Sequence, residues 1–170
     1  MDRLIVMRHA KAERRAGSGR DFDRGLTERG RADAAIMSQV LARAGLKPDR
    51  VVVSPACRTL ETWAAMAPAF PGVAQEGERA LYNAPAQTLW EAVQRAGEGA
   101  GTVLLIAHNP GVHELTLALL REGSAGPGLI AKASERFPTA TAAAFVFDAA
   151  ERPCYDGLFL VADHGGGGGE

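Results

Sequence analysis

Two hydrophobic rhythms alternate along this chain. The runs Leu4-Ile5-Val6-Met7, Val51-Val52-Val53 and Val103-Leu104-Leu105-Ile106 are short, uninterrupted and rich in branched side chains, as strands buried on both faces are. Between them apolar residues recur three and four positions apart. Ala34, Ala35, Met37, Val40 and Leu41 make such a stripe, the mark of a helix with one buried face. The pattern predicts strands over Arg3–Arg8, Arg50–Val53 and Thr102–Ala107, an edge strand over Val73–Gln75, and two last strands over Ala142–Phe147 and Gly157–Val161. Thr27 caps a helix that runs to Ala44 and stops at Gly45 and Pro48. Ser54-Pro55 opens a second helix through Met66, Ala86–Ala96 forms a third, and Asn109-Pro110 opens a fourth that reaches Arg121. Lys11–Leu26 and Glu122–Pro138 read as irregular, and the Gly-rich tail Gly165–Glu170 as disordered. Strands alternating with helices predict an α/β fold, a three-layer sandwich with a mostly parallel central sheet and helices on both faces.

Chemistry gathers at the ends of three of those strands. The first ends in Arg8-His9. The second is followed by Ser54-Pro55-Ala56-Cys57-Arg58, with Arg58 in the first turn of a helix. The third is followed by His108-Asn109-Pro110-Gly111. A parallel sheet aligns such ends along one edge, where open α/β sheets bind ligands, and helix N-termini there favour anions. Arginine grips phosphate oxygens two at a time, and a neutral imidazole is a nucleophile near physiological pH. Arg8, His9, Arg58 and His108 are therefore expected to converge on one phosphoryl-sized anion.

Composition narrows the classes further. The 170 residues suffice for one domain with a sizeable core, 46% of them are hydrophobic, and the formal net charge is −1. Nothing in that balance favours nucleic acid or an anionic membrane as a partner. No apolar run is long enough to span a bilayer, and the chain enters a strand almost at once, so neither a membrane span nor a signal peptide is expected. Cys57 and Cys154 make no C-x-x-C pair, and a reduced, cytoplasmic protein is the simplest expectation. Neither cysteine has an arginine six positions on, which excludes a cysteine-phosphatase loop. No Gly-Lys-Ser/Thr loop is present, and Asp21-Phe22-Asp23 lacks the hydrophobic strand that a D-x-D phosphatase motif needs before it. The four histidines show no metal-ligand spacing, so metal-independent catalysis without a cofactor is expected.

The segments Leu4-Ile5-Val6-Met7-Arg8-His9-Ala10-Lys11, Ser54-Pro55-Ala56-Cys57-Arg58-Thr59 and Ile106-Ala107-His108-Asn109-Pro110-Gly111 resemble, in order and spacing, the motifs of the histidine phosphatase or phosphoglycerate mutase-like superfamily. The likeness covers Leu4 to Leu120. The Arg-His-Ala-Lys form and Asp23-Arg24-Gly25-Leu26-Thr27-Glu28-Arg29-Gly30 resemble its SixA-type branch, associated with dephosphorylation of phosphohistidine in phosphorelay proteins. The resemblance implies a phosphoglycerate mutase-like fold over residues 1–164 as a single domain, with 165–170 as its tail. It implies that His9 becomes transiently phosphorylated while Arg8, Arg58 and His108 bind the phosphoryl oxygens. The substrate is then a phosphorylated protein or a small phosphorylated molecule. A mutase or metabolite phosphatase on the same fold stays open, as does a non-catalytic phosphate-binding module.

A leaving-group acid is less legible. Where one branch has an aspartate after the second histidine, this chain has Asn109. Glu78 lies in the stretch where another branch carries a glutamate, and Asp21 and Asp23 sit in the long first loop. Glu78 and Asp23 are the candidate acids, although solvated or ion-paired carboxylates are the commoner occupants of such loops. His113, Tyr82 and Trp63 read as packing residues, and Lys11 as a cation near the phosphate or in water.

Overall fold

The computed structural model describes residues 1–167, which build one mixed sheet of six strands in the order β3-β2-β4-β1-β5-β6. The strands are β1 (Arg3–Arg8), β2 (Arg50–Val53), β3 (Ala74–Glu76), β4 (Thr102–Ala107), β5 (Ala142–Phe147) and β6 (Pro153–Phe159). The helices are α1 (Glu28–Arg43), α2 (Cys57–Met66), α3 (Ala86–Gly97), α4 (Gly111–Glu122) and α5 (Pro127–Glu135). β1, β2, β3 and β4 run parallel, and β5 and β6 add an antiparallel edge.

Strands β1, β2 and β4 are apolar on both sides because both sides are covered, whereas the edge strand β3 is exposed. Leu4 and Val6 of β1, with Val103 and Leu105 of β4, pack under α3 and α4 against Leu89, Val93, Val112 and Leu115. Ile5, Met7, Leu104 and Ile106 point the other way and meet Met37 and Leu41 of α1 and Trp63 and Met66 of α2. The strict alternation of faces fixes the register, since a slip of one residue would exchange the two cores.

That register positions the strand ends. Arg8 lies opposite Ala107, and Val53 opposite Ile106. The next residues continue the ladder: the His9 N–H donates to the Ala107 carbonyl and the Ser54 N–H to that of Ile106, each at 3.1 Å. His9, Ser54 and His108 therefore emerge side by side from one edge of the sheet.

Five expectations are corrected. The second helix starts at Cys57, not at Ser54-Pro55; Ala56 flanks it, and the Ser54 hydroxyl is bonded to His108 instead of capping. The fourth helix starts at Gly111, because the Asn109 side chain donates to the Phe137 carbonyl at 3.0 Å and so does not cap. The stretch Glu122–Pro138 is not irregular throughout. Pro127 opens α5, whose Ala133 is buried against the core. The last strand also begins earlier than expected, at Pro153, with a bulge where Tyr155 and Gly157 pair with successive residues of β5. Of the tail, Gly165–Gly167 is ordered: the Gly166 N–H bonds to the Val161 carbonyl and the Gly167 N–H to Asp33. Residues 168–170, on which the rest of that expectation falls, lie outside the described residues.

The loop Lys11–Leu26 is tied at both ends. Ala12 bridges Leu26, and the Lys11 carbonyl accepts from the Thr27 N–H at 2.9 Å and from its hydroxyl at 3.2 Å. Glu61 of α2 accepts from the Leu26 N–H at 2.7 Å and from Arg31 at 2.8 Å. Thr27 caps α1 as expected, accepting from the Gly30 N–H at 2.9 Å. A Cβ on Gly30 would lie 2.0 Å from the Lys11 carbonyl oxygen. Gly30→Ala should therefore destabilise the fold by about 1–2 kcal/mol, although alanine favours a helix by about 1 kcal/mol. Urea denaturation reads the difference; a midpoint equal to or above that of the unaltered protein would refute this account of the loop–helix contact.

Candidate functional site

Four residues singled out in the sequence meet at the carboxyl edge of the parallel strands. The His9 and His108 rings lie 5.3 Å apart, tilted by 58°. Both are buried, and Arg58 in the first turn of α2 is only 3% exposed. Arg8 ends β1 beside them and donates through Nη1 to the Phe137 carbonyl at 2.9 Å.

The two imidazoles are held differently. His9 Nδ1 lies 2.7 Å from its neighbour's carbonyl, Ala10 O. A carbonyl only accepts, so the neutral ring carries its proton on Nδ1 and keeps a lone pair on Nε2. His108 Nε2 lies 2.7 Å from the Ser54 hydroxyl, while its buried Nδ1 has no hydrogen-bond partner. Arg58 Nε is likewise buried and unpaired. Buried polar atoms left unmatched cost about 1–3 kcal/mol each, and for the Arg58 Nε–H, a donor, an entering oxyanion would relieve that cost.

Burial dominates the protonation of both rings. It pushes His9 from the usual 6.5 to about 3, with Arg58 and Arg8 pushing the same way against the Ala10 carbonyl. It lowers His108 to about 3 as well, assisted by His9 and Arg58 and opposed by Asp21. At neutral pH the site therefore pairs two neutral imidazoles with two guanidinium groups. This charge state suits a nucleophile that must attack phosphorus beside a tight anion clamp.

Asp21 closes one side of the cluster. Arg58 donates from Nη1 to the Asp21 carbonyl at 2.9 Å and from Nη2 to its carboxylate at 3.1 Å. The Tyr82 hydroxyl donates to the same carboxylate oxygen at 2.5 Å, and Arg24 binds the other at 2.7 Å. The Tyr82 hydrogen bond, followed by the charge of Arg58 and Arg24, holds the Asp21 carboxyl at about 2. Tyr82 also stands edge-on to His108, ring centroids 5.5 Å apart, and 5.7 Å beneath the Arg58 guanidinium.

The other carboxylates singled out in the sequence are engaged elsewhere. Asp23 accepts from Ser18 at 2.6 Å and from Arg20 at 2.7 Å, and these bonds hold its carboxyl below the usual range. Glu78 pairs with Arg95 of α3 on the outer surface. His113 stacks on Phe137, with Nε2 2.7 Å from the Ala133 carbonyl, which gives it the packing role expected of it. Among the described residues no group of His, Cys, Asp and Glu is arranged to hold a metal ion. Cys57 and Cys154 are free thiols, and no described helix is long and apolar enough to cross a membrane.

Sequence reasoning missed the parts played by Ser54, Tyr82 and the Phe137 carbonyl, and gave Asp21 only as a loop carboxylate within reach of the site. Ser54 was assigned to a helix cap, yet the parallel register that delivers His108 also delivers Ser54 beside it. Asp21 and Tyr82 come from loops whose convergence has no periodic signal. The Phe137 carbonyl, which receives both Arg8 and Asn109, belongs to the segment after the unforeseen helix α5.

The depressed histidines tie stability to pH. In the unfolded chain they take up protons near 6.5, whereas in the folded protein they stay neutral down to about 3. Between those values the unfolded state binds more protons, so stability falls as pH drops through 6.5. At pH 5 the loss is about 2 kcal/mol for each buried ring. His9→Ala should flatten the fall in unfolding midpoint between pH 7.5 and pH 5 in calorimetry; an unchanged slope would mean that His9 is not held neutral.

Comparison with known proteins agrees with this geometry. The family model of the histidine phosphatase superfamily (branch 1) matches residues 4–82. An uncharacterised Mycobacterium tuberculosis protein is 34% identical over 134 residues, covering 78% of this chain and 82% of its own. A solved Agrobacterium tumefaciens structure, assigned as a phosphohistidine phosphatase SixA, is 31% identical with a TM-score of 0.80, covering 94% of this chain and 97% of that one. A similarly assigned structure from Nakamurella is 28% identical with a TM-score of 0.79, covering 94% and 95%. The chain thus belongs to the histidine phosphatase superfamily, with the phosphoglycerate mutase-like α/β fold and the SixA type of that family, and it is a phosphatase.

Proposed function

We propose that this phosphatase hydrolyses phosphohistidine on a partner protein through a phosphorylated His9. The substrate phosphoryl group enters between Arg8 and Arg58, whose guanidinium groups neutralise its oxygens. His108 adds a hydrogen bond from Nδ1, the buried nitrogen without a partner. The His9 Nε2 lone pair attacks phosphorus, a His9–P bond forms, and the substrate's P–N bond breaks. A substrate imidazole already protonated on its far nitrogen leaves as a neutral ring. Water then attacks the phosphoryl group on His9, releasing inorganic phosphate and restoring the neutral histidine. Little covalent machinery is needed, since phosphoryl transfer depends mainly on positioning and charge neutralisation. Residues 1–164 act in this reading as one catalytic domain.

The observation that carries the choice of substrate is the ionisation of Asp21. This carboxylate adjoins the cluster, yet at about 2 it holds no proton to give at neutral pH. Asp23 and Glu78 are committed to other partners. A site without a protonated acid is suited to a leaving group that needs none, and phosphohistidine is one; an alkyl phosphate is not.

The mechanism is tested by trapping. Neutral quenching after brief exposure to a labelled substrate should leave label on His9, and His9→Ala should abolish turnover. Label on another residue, or near-normal turnover by the variant, would overturn the mechanism. The substrate class is tested by leaving-group dependence. Phosphohistidine and aryl phosphates should turn over well, and alkyl phosphates such as phosphoserine should be about 10²–10⁴-fold slower, the usual worth of a general acid. Glu78→Gln and Asp23→Asn should leave the fast substrates unchanged. Equal kcat/KM for alkyl and aryl phosphates, together with a large loss in either carboxylate variant, would shift the assignment to a phosphatase of small metabolites.

A further inference from the structure

The loop Lys11–Leu26 carries a second feature that the phosphoryl chemistry does not use. A cleft of about 480 Å³ opens beside the cluster, lined chiefly by Arg14, Arg15, Arg20, Arg24 and Asp21. Four guanidinium groups on one cleft contrast with a chain whose formal net charge is −1. Two of the four are engaged at its rim: Arg20 with Asp23, and Arg24 with Asp21 and the Glu13 carbonyl. Arg14 and Arg15 are exposed and have no hydrogen-bond or ion-pair partner among the described residues.

The cleft is continuous with the site. Asp21 lines it and also holds Arg58, and the charge of Arg24 is felt at His9. The loop itself is anchored, by the Ala12–Leu26 bridge at its base and by Glu61 at its end. The arginines are therefore displayed at a fixed position beside the point of phosphoryl transfer.

We propose that this cleft docks the acidic side chains flanking a phosphohistidine on the partner protein. This rests on the phosphohistidine reading and deepens it. Charge complementarity selects the occupant: unpaired, exposed arginines attract carboxylates and raise the rate of encounter. Their spacing on an open loop selects a protein face. A second phosphate of a small molecule is a compact anion that calls for convergent, desolvated donors. Exposed ion pairs are weak singly, so the cleft contributes through several carboxylates engaged at once.

The test uses two phosphohistidine peptides prepared with phosphoramidate, one flanked by Asp and Glu and one by Lys, with p-nitrophenyl phosphate as the common small substrate. The unaltered enzyme should prefer the acidic peptide, and the preference should shrink as salt screens the cleft. The double variant R14E/R15E should raise KM for the acidic peptide about tenfold at unchanged kcat, with R14A/R15A intermediate. Both should turn over p-nitrophenyl phosphate normally, which also reports an intact fold. The unphosphorylated acidic peptide should inhibit p-nitrophenyl phosphate turnover by the unaltered enzyme and much less by R14E/R15E. This arm reads docking even if neither phosphopeptide is hydrolysed, a result that would sink the phosphohistidine reading alone. Loss of the peptide preference with no dependence on Arg14 and Arg15, or equal inhibition of both enzymes, would overturn the proposal. So would a variant that weakens inhibition by inorganic pyrophosphate alone, which would make the cleft a second phosphate subsite.

Discussion

The parallel pairing of β1 with β4 is the constraint from which the site follows. It places Arg8 opposite Ala107, so the chain leaves the two strands at the same level and His9 and His108 emerge together. The pairing of β2 with β4 adds Ser54 beside them. Neither alignment is free to drift, because each strand contributes alternate residues to two separate cores. The geometry of the site is thus specified by residues that lie outside it, such as Leu4, Ile5, Leu104 and Leu105.

Burial by those cores sets the chemistry. The sheet edge and the loops above it remove water from His9 and His108, and desolvation is the largest influence on both rings. The arginines then act in two ways. They oppose protonation of His9, preserving its lone pair, and they supply positive charge that would neutralise an incoming phosphoryl group. An imidazolium would satisfy the second requirement while defeating the first. In the proposed mechanism, placing the permanent charge on guanidinium groups and the nucleophile on a neutral ring separates the two tasks.

Legibility in the sequence tracked periodicity. β1, β2, β4 and β5 match their expected limits, since uninterrupted apolar runs have few alternative readings. The convergence of Arg8, His9, Arg58 and His108 was also readable, because parallel strand ends must align. Capping was the weak point. Ser54 and Asn109 are good caps by type, but each found a tertiary partner, His108 and the Phe137 carbonyl, and the helices began later. Helix α5 was obscured by glycines at 123, 126 and 128, although Pro127 and the spacing of Leu129, Ile130 and Ala133 carry its signal. Asp21 and Tyr82 lie 61 residues apart, and nothing local marks their meeting.

Asp21 joins the two electropositive regions of the molecule. Its carboxylate accepts from Arg58 and Tyr82 on the catalytic side and from Arg24 on the side of the cleft. Without a negative charge there, the buried Arg58 and the half-buried Arg24 would face one another with no counter-ion, and the contact between loop and sheet edge would weaken. With it, the loop rests against the site and its remaining arginines face outward. The same residue that is unfit to protonate a leaving group is therefore suited to hold the loop in place, and both properties have one cause: its carboxyl stays ionised because three donors surround it.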